Sequence, residues 1–171
     1  MQIVIQLIGI LAMIANFLSF QFKKHKNIML FRTLNESLFI LQYFLLGALT
    51  GATLNFVGCF RNIIFSKQVE KGKSTRLTGL IFCIIFVLFG IFTFDGFKSI
   101  MMILAKVLST VAYGNKNTTV IRTVSFLTHI TYLIYNLCVF SIAGAVSDGI
   151  VLVSLIFGIL RFDIIPRLKK V

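Results

Sequence analysis

Runs of apolar residues, roughly 16–25 long and divided by short polar turns, follow one another along the whole chain. A run of that length spans the hydrocarbon of a bilayer as a helix. The runs show no period-two alternation, so helices are expected rather than barrel strands. Composition removes the soluble alternative: of 171 residues, 58% are hydrophobic and only 13% charged, with 19 phenylalanines against one proline. A body with that mean hydropathy, +0.98, has too few polar side chains to cover itself in water. The opening Met1–Gln6 has no basic stretch like that of a cleaved signal peptide, so the first run is expected to stay in the protein.

In order, the predicted spans are Ile3–Phe20, Ile28–Leu46, a third ending at Ser66, Leu77–Phe94, Lys98–Tyr113, Val120 to about Ala143, and a seventh ending at Ile165. Gly47–Gly51 and Gly144–Gly149 are read as the tight turns before the third and seventh spans. Polar segments of both signs fall between the others, the most polar being Lys67–Arg76.

Two stretches resemble each other. In Ala15–Thr33 the residues Ala15, Leu18, Ser19, Lys26, Asn27, Arg32 and Thr33 recur, at an offset of 90, as Ala105, Leu108, Ser109, Lys116, Asn117, Arg122 and Thr123. Gly58 and Arg61 recur as Gly158 and Arg161 at an offset of 100. A duplicated unit with a short insertion explains both offsets. The fourth span has no counterpart and is expected to be a linker helix. The expected architecture is therefore all-α and polytopic: about seven transmembrane helices as two parallel three-helix repeats joined by that linker (3+1+3). The divisions are 1–66 for the first repeat, 67–97 for the basic loop and linker helix, and 98–171 for the second repeat with its basic tail.

Charge orients the chain. Alternate flanking segments hold Lys23, Lys24 and Lys26, then Lys67, Lys71, Lys73 and Arg76, then Lys116, then Arg167, Lys169 and Lys170. That makes eleven basic residues, against Lys98 alone on the other side. Positive loops stay cytoplasmic, so the N-terminus is expected outside and the C-terminus inside. The net charge of +12 thus reads as topology, with anionic headgroups as its partner, and not as a nucleic-acid surface.

Ionisable residues within spans are costly and mark candidate sites. Glu36 lies about 13 Å in from Asn27 by helical rise. It is read either as paired with Arg32, one turn before it, or as a substrate or proton site. Lys106 lies about 12 Å from the outer end of its span, at the repeat position of Asn16, and is a candidate partner for Glu36 between the units. His129 reads as a packing or a proton-coupled imidazole, and Asn55 and Asn136 as helix-bridging amides. Arg32, Arg61, Arg122 and Arg161 lie one to two turns from the basic side and are read as structural charges that snorkel to headgroups or cap helix C-termini. Cys59, Cys83 and Cys138 read as apolar packing residues, with neither a disulfide nor a metal site.

No phosphate-binding glycine loop, catalytic triad or carboxylate pair appears, so no enzyme and no cofactor are expected. The segments Leu18–Lys24, Gln42–Asn55 and Arg61–Phe65 resemble the bacterial inner-membrane YgjV family, a resemblance that implies a polytopic inner-membrane protein. The 3+1+3 arrangement also resembles SWEET and PQ-loop transporters. In that comparison Ser19-Phe20-Gln21 stands at the Pro-Gln motif and Asn55 at a substrate-binding asparagine, while the hinge prolines and any tryptophan are missing. The expected function is a small-solute permease or exchanger. Asn16, Glu36, Asn55, Lys106 and His129 would line its mid-membrane site. The alternative is a non-transporting membrane scaffold or subunit, and the reading leaves room for a homo-oligomer.

Overall fold

The computed structural model describes residues 2–19, 25–114, 118–160 and 164–165. Among them there are seven helices and no strand: α1 (Gln2–Ser19), α2 (His25–Leu45), α3 (Leu49–Glu70), α4 (Arg76–Phe92), α5 (Phe97–Tyr113), α6 (Thr118–Cys138) and α7 (Ile142–Ile159). Each sequential pair in α1–α2–α3 and in α5–α6–α7 packs together. The groups then meet twice, α3 on α5 and α7 on α1, which closes a ring of six helices. α4 stands outside that ring, against α3 and α5.

The ring is lipophilic outside and polar inside. Phe44, Phe56, Phe60, Phe92 and Phe157 are exposed, as the apolar solvent of a bilayer permits. Inside lie Asn16, Glu36, Gln42, Asn55, Arg61, Lys106, His129, Asn136 and Asp148, all buried. These interior groups lower the hydropathy of the helices that carry them. As a result, only Ile142–Ile159 is both long and apolar enough to pass a simple test for a membrane crossing among the described residues, with Gln2–Leu18 and Arg76–Phe92 apolar but shorter. α4 buries Phe82, Phe86 and Gly90 towards its neighbours, Phe82 meeting Phe65 of α3 edge-on and Gly90 lying against Ile103 of α5. A side chain at position 90 would collide with that isoleucine, so the glycine sets the α4–α5 distance.

One boundary departs from the sequence reading and carries a buried acid with it. α6 ends at Cys138 and α7 opens at Ile142, so Gly144–Gly149 is helical and the turn is Val139–Ser141. A phenylalanine makes this turn, which no turn-forming residue type marks: Phe140 takes φ 56°, where Gly47 takes φ 73° in the α2–α3 turn. Gly144, meanwhile, lets α7 pack closely on α6, since a side chain there would strike Asn136. A left-handed non-glycine residue costs roughly 1–2 kcal/mol. Phe140→Gly is therefore expected to hold or slightly raise the melting temperature of the detergent-solubilised protein. Phe140→Val, β-branched in the same conformation, is expected to lower it.

Candidate functional site

Three helices bring four polar groups to one point. Glu36 of α2 accepts from Arg61 Nη2 of α3 at 2.9 Å and lies 3.3 Å from Lys106 Nζ of α5, both through its Oε1 atom. Lys106 Nζ also donates to Asn55 Oδ1 at 2.7 Å. The cations have little access to water: Arg61 is 0% and Lys106 1% exposed. Arg61 completes its donors on Ser109 Oγ (2.8 Å), Thr110 Oγ1 (3.0 Å) and Asn62 Oδ1 (3.0 Å), and its guanidinium lies over Phe86 and Tyr113. Two buried cations thus share a single carboxylate oxygen. Glu36 Oε2 accepts no hydrogen bond from the described residues and is packed against Gly58.

The expected Glu36–Lys106 proximity is present, and the guanidinium that joins it is a correction. Arg61 is wholly buried and does not snorkel. Depth counted along the helix locates a Cα only. Side chains lean towards the helix N-terminus, so Arg61 on α3 leans away from the Lys67–Arg76 segment and into the protein. Arg32 donates to the Tyr113 hydroxyl and stacks over that ring, 4.4 Å from its centroid. Arg122 passes beside Gly158. Arg161, Ser19-Phe20-Gln21 as a motif and much of the basic flanks (Lys23, Lys24, Lys116 and the Arg167–Lys170 tail) lie outside the described residues.

A second buried acid stands where the sequence predicts a turn. Asp148 is in α7, 6% exposed, with Oδ1 2.8 Å from His129 Nδ1 and Oδ2 accepting from Asn136 Nδ2 at 2.7 Å. Asn136 Oδ1 in turn accepts from the Tyr43 hydroxyl at 2.6 Å. The chain His129–Asp148–Asn136–Tyr43 therefore runs from α6 through α7 and back across the ring to α2. Asn16 approaches Ser147 Oγ at 3.5 Å, a long contact that joins α1 to α7. Glu36 is thus not the only deep carboxylate.

All five residues predicted to line a solute site do line one cavity, of about 50 Å³, together with Tyr43, Asn136, Ser147 and Asp148. That volume admits a few ordered waters. A second cavity, about 1550 Å³, is bordered by Lys73, Ser74, Thr75 and Arg76 of the α3–α4 connection. Asn16, Arg32, Tyr113, His129 and Ser147 border both cavities, so the two are neighbours separated by these side chains. Towards the α2–α3 and α6–α7 turns the interior is filled. Tyr43 and Tyr135 meet edge-on with ring centroids 5.3 Å apart, and Gln42 accepts from Ser141 Oγ at 3.1 Å. Gly51 lets these rings sit against α3.

The three thiols are unpaired with one another, and among the described residues no group of three His, Cys, Asp or Glu is placed to hold a metal ion. A family model described as "Bacterial inner membrane protein", Imp-YgjV, matches residues 3–164. No curated protein and no solved structure matches the chain.

Proposed function

Because the chain belongs to the Imp-YgjV family of bacterial inner membrane proteins, we propose that it is a small-solute permease or exchanger whose site is the polar cavity between two three-helix units. The observation that carries this reading is the adjacency of the two cavities: a wide vestibule bordered by basic residues shares five lining residues with a small, buried, charged cavity. A scaffold has no use for a vestibule set beside costly buried ions.

The helix registers support two related units. α2 and α6 are both 21 residues long, beginning at residues 25 and 118, and α3 and α7 begin at residues 49 and 142. Counted from those helix starts, at an offset of 93 rather than the 90 and 100 of the sequence identities, Glu36 matches His129 and Asn55 matches Asp148. Asn16 and Lys106 match at 90 by sequence, while the starts of α1 and α5 differ by 95. Each matched pair contributes to the same cavity. Rocking of α1–α3 against α5–α7 would close the vestibule and open the Tyr43–Tyr135 end, with α4 as the tether. The basic connections are placed in the cytoplasm, the N-terminus outside and the C-terminus inside. No enzymatic step is proposed.

The test combines flux with accessibility. Reconstituted protein is expected to take up or release at least one member of a metabolite panel. Asn16→Cys, in a background lacking Cys59, Cys83 and Cys138, is expected to react with a water-soluble maleimide from the basic side. Asn55→Cys, beyond the constriction, is expected to react more slowly. Vesicles with no flux, together with Asn16→Cys inert to the reagent, would return the protein to the scaffold reading.

A further inference from the structure

Five side chains stand between the small cavity and the vestibule: Asn16 and Arg32 from one three-helix unit, and Tyr113, His129 and Ser147 from the other. The cavity behind them measures about 50 Å³, whereas a pocket for a small organic molecule occupies roughly 300 Å³ or more. A solute can therefore enter it only if part of its wall moves. Displacing this partition would merge the cavity with the 1550 Å³ of the vestibule.

The other end is fastened by bonds that cross between the units. Gln6 Nε2 donates to Phe140 O at 3.1 Å, Ser141 Oγ to Gln42 Oε1 at 3.1 Å, and the Tyr43 hydroxyl to Asn136 Oδ1 at 2.6 Å. None of these has to break when the partition opens. Within the partition, His129 is tied to Asp148 of its own unit, and Asn16 meets Ser147 at a long 3.5 Å. Arg32 and Tyr113 make the firmer join across it. The guanidinium donates from Nη1 to the hydroxyl and lies 4.4 Å from the ring centroid.

Of these two, the tyrosine is the anchored member. Arg61, bound to Glu36, also lies over its ring, 5.0 Å from the centroid, so Tyr113 is held against the ion cluster. Arg32 is half-buried and borders the vestibule, where a long side chain can change rotamer without shifting a helix.

We infer that Arg32 is the movable closure of the site on its basic side: withdrawing from Tyr113 into the vestibule, it joins the two cavities and admits the solute. The inference rests on the transport reading and goes beyond it by naming the contact that must break. It is tested by labelling rather than by flux, so the two fail separately.

The test uses the full chain, lacking Cys59, Cys83 and Cys138, in sealed vesicles with a membrane-impermeant maleimide. Met102→Cys reports on the small cavity, which Met102 borders without lining the vestibule, and Ser154→Cys reports on the vestibule itself. From the basic side, Ser154→Cys is expected to react fast and Met102→Cys slowly. Adding Tyr113→Phe keeps the ring and removes the hydroxyl that accepts from Arg32. It is expected to speed labelling of Met102→Cys about tenfold or more, the effect of losing a hydrogen bond from a charged donor, and to leave Ser154→Cys unchanged. Arg32→Gln is expected to give the same gain, and both changes together little more, since they break one contact. Should Arg32→Gln fail to fold, Tyr113→Phe alone decides. Met102→Cys reacting as fast as Ser154→Cys in the parent, or unaffected by Tyr113→Phe, overturns the inference. So does an equal gain with reagent applied from the opposite side, which marks a loosened fold and not an opened partition. A gain confined to the basic side, with no flux of any metabolite, leaves the closure standing and removes the transport reading.

Discussion

Glu36→Ala is expected to be the most destabilising single change in the ring, costing roughly 3–5 kcal/mol, because it leaves two buried cations facing each other without their shared carboxylate. Lys106→Met is expected to cost much less. It leaves Glu36 and Arg61 as a one-to-one pair at 2.9 Å, and an unbranched apolar side chain fills the place of the lysine stem. Combining the two changes removes one cation along with the carboxylate, so the double variant is expected to be more stable than Glu36→Ala alone. That non-additivity is the signature of coupled charges. Thermal melts of the four detergent-purified proteins read the cycle directly. A Glu36→Ala protein as stable as its parent would mean that the cations are hydrated, and the buried cluster described above would have to be abandoned. Flux is expected to be lost in every variant lacking Glu36, whatever its stability.

The second large effect reverses a familiar sign. In an exposed helix Gly→Ala adds up to about 1 kcal/mol of stability. At Gly58 the added Cβ would fall on Glu36 Oε2, 2.8 Å from Glu36 Cδ and 3.0 Å from Lys106 Nζ. Neither group can withdraw without giving up its ion pair, so Gly58→Ala is expected to destabilise by about 1–3 kcal/mol, in the manner of an overpacked core, and to abolish flux. Gly79→Ala is the internal control. Its nearest neighbours, Phe65 and Thr110, lie 3.7 Å from the added atom, an ordinary contact. The expected order of melting temperature is Gly79→Ala at or above the parent, with Gly58→Ala well below it. Equal behaviour of the two variants would show that the space beside Glu36 is not filled as described.

The apolar runs disclosed the helices because a bilayer leaves a backbone few alternatives, and the predicted ends of α1 to α5 fall within a few residues of the observed ones. The same scarcity of alternatives indicates which polar residues gather inside. Asn16, Glu36, Asn55, Lys106 and His129 are polar groups in apolar helices, and such groups collect where helices meet. Two features were hidden for different reasons. Asp148 stands in Gly144–Gly149, whose glycines read as a turn, whereas the turn itself rests on Phe140 in a conformation that phenylalanine rarely adopts. Arg61 lies deeper than its distance along the helix axis implies, because that distance ignores the lean of a side chain. The pairing of Tyr43 with Tyr135, from helices joined by no direct connection, leaves no trace in spacing or hydropathy.

Residue 36 is the twelfth of α2 and residue 129 the twelfth of α6, yet one is a carboxylate and the other an imidazole. Had two identical polypeptides assembled such a ring, the twelfth position of this helix would be the same on both sides, acid and acid. Like ions repel across a short gap with nothing to screen them. Joining both halves in a single chain through α4 is what allows one flank to hold a base where the other holds an acid.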